Sequence, residues 1–324
     1  MNKITILILI LITFSSCEND KCDSFPDTEP VTLEYINYEN DFKNRKSDVE
    51  IQQFLDANKS LKEGFLMGNQ YPDSFVVDYL QRVNTSGGID TIYKECKETY
   101  GDFGKWIKEF EDAFSLLNYY FPKEKSRSIA TFIPGLMRDL HIDDSTVVIG
   151  IDYFLGPKAT FRPQNFNYIN KRYIPEAIVP MSMVFLSTKY NLSEFADKSL
   201  LAEMLYYGKS FYFSKKMLPC VADSLIIGYS KEEWKGSEKH TKDIWSYFVE
   251  KELLFETNHV EKKRYIEERP AVTEIGNKCP GRIGQWLGWK IIKAYAENNP
   301  DISLAEIMAE KDSKKILEYS KFKP

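Results

Sequence analysis

Glu203 lies in the stretch LLAEMLYYGKSFYF, residues 200–213, with Ala202 before it and Tyr206 three positions after it. A zinc protease helix reads His-Glu-x-x-His across those five positions, with two imidazoles as ligands and the glutamate as base. Here the base position is filled and both ligand positions are not. The chain holds three histidines, His141, His240 and His259, and no two are four residues apart. One carboxylate does not hold zinc. From spacing alone, Glu203 reads as part of a solvated helix face, and no catalytic residue, metal ligand or cofactor is assigned. At about 100° per residue, Leu200, Leu201, Met204, Leu205, Gly208, Phe211 and Tyr212 share one side of the helix. Ala202, Glu203, Tyr206 and Ser210 share the other, which lines a cleft or faces water.

Other chemistries find no better footing. The sequence contains no G-x-S-x-G elbow, no phosphate-binding Walker loop and no CxxC pair. The paired carboxylates Asp143-Asp144 and Glu267-Glu268 are a common surface pattern. The net charge of −5 and pI near 5.5 give no basic field for nucleic acid. Lys311 to Lys315 reads as a mixed-charge helical face.

The most unusual stretch is CPGRIGQWLGWKIIKAY, residues 279–295. Pro280 can open a helix because it needs no hydrogen-bond donor there. Gly284 and Gly288 lie four apart on one face, each costing about 1 kcal/mol against alanine. Close approach of another backbone is the simplest compensation. Ile283, Trp286, Leu287, Trp289, Ile291 and Ile292 leave little polar perimeter, which predicts a buried central helix. Arg282 stands where the helix dipole disfavours a cation, so it should pair with a carboxylate. Arg282, Gly284, Trp286, Gly288 and Trp289 are therefore candidate packing or partner-binding residues.

The elements that carry these residues follow from periodicity. Residues 41–65 and 73–83 read as helices, as does 103–120, whose Phe103, Trp106, Ile107, Phe110, Phe114 and Leu117 recur at three and four. Ile129–Ile133 and Val147–Phe154 are short and β-branched, with turn chemistry at Asp143-Asp144-Ser145 between them. They predict adjacent strands. Residues 168–190 fit no single pattern. Helices return from about Glu194, with one long tract over 231–257 broken at Gly236, another over 280–298, and a last one opened by a Ser303/Glu306 capping box. The fold class is α+β, mainly α-helical with a small β-sheet.

The first residues are of another kind. Lys3 is followed by an almost pure Ile/Leu run and then Phe14-Ser15-Ser16-Cys17, the order of an export signal. The run is too short to span a bilayer comfortably. The ending is similar to a bacterial lipobox. It predicts a signal peptide at 1–16, lipidation of Cys17, a polar tether at 17–30 and one domain at 31–324. Loss of Lys3 would take the side-chain charge from −5 to −6. Cys22, Cys96, Cys220 and Cys279 then remain, and the three ways of pairing them stay open in an oxidising compartment.

Four features together carry a resemblance: the short lipoprotein signal, VVIGIDYFLG, LLAEMLYYGKSFYF, and above all PGRIGQWLGWKIIKAY with the tail SLAEIMAEKDSKKILEYSKFKP. The chain resembles the GldB lipoproteins of gliding bacteria and their non-gliding relatives. That family looks like a diverged relative of HExxH metalloproteases. The resemblance implies a zincin-like degenerate metalloprotease architecture, with Ala202, Glu203 and Tyr206 as degenerate-site positions, and a non-catalytic, membrane-anchored, periplasm-facing envelope protein. Its implied partners are other envelope proteins of the motility or export machinery. The residues alone leave two alternatives open: a cryptic hydrolase or peptidase, and a binding protein for an envelope glycan or peptide, suggested by 20 Tyr and 5 Trp.

Overall fold

The computed structural model describes Cys22, residues 25–194 and residues 196–324. Cys17 and the signal segment 1–16 lie outside them. Residues 25–30 run without regular structure. The N-terminal part contains β1 (Tyr35–Asn37), α1 (Tyr38–Phe42), α2 (Asp48–Ala57), a π-helical turn (Ser60–Phe65), α3 (Asp73–Asn84), α4 (Ile89–Tyr100) and α5 (Gly104–Tyr120). The strands β2 (Ser128–Phe132), β3 (Leu140–Ile142) and β4 (Thr146–Gly150) follow. The rest is helical: α6 (Asn167–Asn170), α7 (Ile178–Leu186), α8 (Leu200–Met217), α9 (Asp223–Ile227), α10 (Lys231–Lys239), α11 (Thr241–Glu250), α12 (His259–Ile266), α13 (Ile283–Asn298), α14 (Leu304–Ala309) and α15 (Ser313–Ser320). The α+β, mainly helical class holds.

The four-stranded sheet has the order β1-β2-β4-β3. β1, β2 and β4 run parallel, and β3 pairs antiparallel with β4. The predicted strands are neighbours, in the register Ile129 opposite Val147. Because side chains alternate across a strand, the sheet separates two cores. Ile129, Val147 and Ile149 pack with α4, α5 and α7. Ala130, Phe132 and Val148 pack with α1, α2, the π-helical turn and α3. A third core, away from the sheet, joins α8, α11, α12, α13 and α15. Helix α8 bridges two of these cores: Leu200 to Phe211 enter the third, and Phe213 and Met217 enter the first.

The glycine expectation resolves at one crossing. A Cβ on Gly288 of α13 would fall 1.9 Å from the carbonyl oxygen of Met204 on α8, and one on Gly208 would fall 2.5 Å from the Gly288 carbonyl. The two backbones touch because both side chains are absent. Gly284 is less tight, its virtual Cβ 3.0 Å from the Tyr265 carbonyl. Trp286 and Trp289 are fully buried beside the crossing.

Several expected boundaries move. The 41–65 helix is α1, α2 and a π-helical turn, because a Ser47/Glu50 capping box starts a new helix. The 147–154 strand stops at Gly150, which lies too close to the Arg138 carbonyl for any Cβ, and Ile151–Phe154 turn as a 3-10 helix. The 231–257 tract breaks at His240 instead of Gly236, which sits inside α10 with open space around it. Helix α13 begins at Ile283, three residues after Pro280, because Arg282 has a left-handed backbone with φ 61°. The Ser303/Glu306 capping box is present, but its helix ends at Ala309 and Asp312 caps a second one. Residues 311 and 312 thus lie outside the expected charged helical face. Strand β1 and helix α4 are additions, and α7 lies within the stretch that fitted no pattern.

One buried carboxyl ties the sheet to α1. Glu39 accepts from Thr131 Oγ1 at 2.9 Å, and Thr131 also meets the Tyr35 hydroxyl at 2.9 Å. Burial pushes the Glu39 carboxyl up to about 7, against the hydrogen bonds that favour its charged form. Burial likewise raises Asp152 to about 7. A carboxyl raised in the fold stabilises fully below its unfolded pKa and loses that contribution as pH rises through the folded value. The urea midpoint should therefore fall between about pH 5 and pH 8, and Glu39→Gln should remove about 3 kcal/mol of that dependence. A pH-independent wild-type midpoint would contradict this. Gly288→Ala should destabilise by about 1–3 kcal/mol or more by forcing α8 from α13. Gly236→Ala should instead stabilise by about 0.5–1 kcal/mol. Equal responses in chemical denaturation would show that the crossing is not tight.

Candidate functional site

Helix α8 starts at Ser199, whose hydroxyl accepts from Ala202 N at 3.2 Å. Ala202, Glu203 and Tyr206 are half-buried on the face turned from α13. Ser210 departs from the expected face. It is buried and accepts from Asn191 Nδ2 at 3.0 Å. The Glu203 carboxylate is held by the ammonium of Lys262 on α12, whose side chain is only 5% exposed. Lys262 Nζ also donates to the Lys198 carbonyl at 2.7 Å. Tyr206 packs edge-on against Tyr207 at 5.6 Å between ring centroids. A glutamate neutralised by a buried lysine is a structural ion pair that closes the start of α8 onto α12.

The histidines lie on three separate elements. His141 is on β3, 3.8 Å from Asp143 and beneath Gly64. Burial and Arg138 hold its pKa below the usual imidazole value. His240 caps the α10–α11 junction and meets Asp243 at 2.9 Å in an exposed position. His259 opens α12 and is exposed. Among the described residues, no group of three or more His, Cys, Asp and Glu side chains is placed to hold a metal ion.

A second constellation gathers where α6, α9, α12 and α13 end together. Arg282, Arg172 and Glu268 meet there. Arg282 Nε lies 2.9 Å from Glu268 Oε1, and Arg172 Nη1 donates to the same oxygen. The expected carboxylate partner of Arg282 is thus Glu268, half of a pair whose spacing read as surface. Only its neighbour behaves so: Glu267 is half-exposed and pairs with Lys263 at 3.3 Å. The Arg282 guanidinium sits 5.5 Å from the Tyr229 ring, and the Tyr229 hydroxyl donates to the Gly281 carbonyl at 2.7 Å. A Cβ on Gly281 would meet the Arg269 carbonyl at 2.4 Å. These contacts hold Arg282 in a backbone conformation that few non-glycine residues adopt. Burial lowers the Arg282 pKa, and Glu268 opposes that.

These arginines line a cleft of about 540 Å³. Its other walls include Phe166, Met181, Phe185, Tyr207 and Ile226. Arg172 Nε is buried with no acceptor among the described residues. Leaving such a donor unpaired costs about 1–3 kcal/mol. Residue type and spacing point to Arg282 but not to Arg172, Glu268 or Lys262: Lys262 lies 59 residues from Glu203, and Arg172 lies 96 from Glu268.

Another cavity, of about 710 Å³, lies between Phe25, Thr28, Pro30, α5 and the α8–α9 loop. Its rim carries Cys220, which forms a disulfide with Cys22, 198 residues away. Of the open pairings this one forms, and Cys96 and Cys279 remain free. Among the described residues, no helix is long and apolar enough to cross a membrane.

A model of the family described as gliding motility protein GldB matches residues 20–324. No curated protein and no solved structure matches the chain. For the disulfide, protein beginning at residue 18 should titrate two thiols when unfolded without reductant, and four after reduction. Cys22→Ser should lower the melting temperature, with an upper bound of about 5 kcal/mol from loop-closure entropy. Four reactive thiols in the unreduced protein would refute the pairing.

Proposed function

We propose, from the premise that this chain belongs to the gliding motility protein GldB family, that it serves gliding as a lipid-anchored, non-catalytic envelope component that holds partner proteins. The observation that carries the non-catalytic part is the engagement of Glu203 by Lys262. A general base must reach the proton it removes, or the water it activates. Here the carboxylate is spent on a lysine ammonium, and Ala202 and Tyr206 offer no imidazole beside it. The scaffold is read as a degenerate metalloprotease whose old ligand face has become a surface for proteins of the motility or export machinery.

Attachment is by Cys17, which would carry acyl chains in the membrane and leave the body facing the periplasm. Four residues lie between it and Cys22, and the five steps from one to the other span at most about 18 Å when extended. The disulfide to Cys220 therefore bounds how far the body can stand from its anchor.

The test is complementation in a gliding strain that lacks its own copy. Glu203→Gln keeps the shape of the side chain and removes its basicity. It should support gliding at the wild-type rate, and purified protein should carry no stoichiometric metal. Lost gliding at normal protein level, together with bound zinc that disappears in Glu203→Ala, would overturn the reading. Cys17→Ala should release the protein from the membrane fraction.

A further inference from the structure

We propose that the cleft over Arg172 and Arg282 is a binding site for a carboxylate carried on an apolar body. This deepens the partner-binding reading by naming the chemistry recognised, yet it uses residues separate from Ala202, Glu203 and Tyr206.

Charge counting is the first support. Two guanidinium groups converge on a single carboxylate oxygen, Glu268 Oε1. Glu267, also in the lining, is matched by Lys263, and nearby Glu233 is matched by Lys171 at 2.5 Å. Among the lining residues this leaves one positive charge without a counter-ion, while the Asp139 carboxylate, bonded to the Tyr173 hydroxyl, acts on Arg172 from outside the lining. Arg282 is 8% exposed, so water screens that charge poorly. A monoanion neutralises it, whereas a phosphate monoester would bring about −1.5 to −2 charges and overshoot.

The donor inventory is the second. Each guanidinium carries five N–H donors in a planar fork that suits bidentate carboxylate binding. Glu268 uses one edge of each. Arg172 still has a buried N–H without an acceptor, so the pair is short of acceptors, not of donors.

The walls are the third. The cleft is lined mainly by apolar and aromatic side chains, and its volume of about 540 Å³ falls within the usual range for small-ligand sites. Phe166 and Phe185 at its rim are 70% and 49% exposed, and Phe166 stacks on Tyr168. A fully hydrophilic anion would leave this surface unused. Two sources share the required chemistry: a fatty acid, and the free C-terminus of a peptide with apolar last residues.

Calorimetry on the full-length protein in detergent, at low and high salt, tests the site. The probes are decanoate and decanol, and a Leu-Phe-Val tripeptide with a free or an amidated C-terminus. At least one carboxylate should bind, more tightly than its uncharged counterpart, and weaken with salt. Decanoate alone would identify the fatty-acid source and the free tripeptide alone the peptide source; either supports the site. Arg172→Gln, in a half-exposed loop position, should weaken binding about tenfold or more. Glu268→Gln removes the competing anion and should strengthen binding, the opposite sign. Both variants are to be checked for wild-type circular dichroism. Equal binding of charged and uncharged probes, no binding of any probe, or weaker binding in folded Glu268→Gln would overturn the assignment. A failure here leaves Glu203→Gln complementation untouched, so the two readings fall separately.

Discussion

The backbone-to-backbone crossing of α8 and α13 is the constraint on which the C-terminal half depends. It exists because Gly208 and Gly288 face each other where any Cβ would collide with a carbonyl or its carbon. The helices give up side-chain packing there and gain proximity. On either side the large side chains close the space: Phe211 lies against Trp289 at 5.5 Å, and Trp234 against Trp289 at 5.6 Å. Trp286 and Trp289 keep indole N–H groups without acceptors among the described residues, so their place is set by volume and not by hydrogen bonding.

That crossing also sets which ends of the helices meet. With α13 locked on α8, its N-terminal residue Arg282 is carried to the ends of α9 and α12, beside Glu268 and Tyr229. The left-handed backbone at Arg282 sets where α13 begins, and the Arg282 side chain lines the cleft. At the opposite flank, buried Lys209 on α8 donates to the carbonyls of Leu192, Met308 and Glu310. Burial pushes that ammonium down to about 8, against the opposing pull of the Glu310 carboxylate. A lysine in the middle of a helix thereby pins two loops that apolar contacts would leave loose. The Cys22–Cys220 bond ties Cys22 to the loop that follows α8.

Legibility followed the range of the interaction. Helix α5 was readable because seven of its buried or half-buried apolar residues repeat at three and four within one element. The capping box at Ser303 was readable because its partners are three residues apart. Helix α4 escaped because its apolar positions, Ile89, Ile92, Tyr93 and Cys96, are thinned by charge. Strand β1 is three residues long and exists only through its pairing with β2. The site divides in the same way. Ala202 and Tyr206 are visible as misfits to a local motif, and Arg282 as a cation in the wrong place for a helix dipole. Lys262 opposite Glu203, and Arg172 sharing Glu268, leave no local trace.

By itself, then, the sequence determined the helical class with a small sheet, the missing imidazoles on α8, the glycine pair on α13 and the need of Arg282 for a carboxylate. Each is a property of neighbouring residues or of residue chemistry. The tertiary structure alone decided that Gly208 answers Gly288, that Lys262 occupies Glu203, that Glu268 serves two arginines at once, and that Cys22 pairs with Cys220. Those are meetings between segments far apart along the chain, and only the packing of whole helices determines which distant side chains share one place.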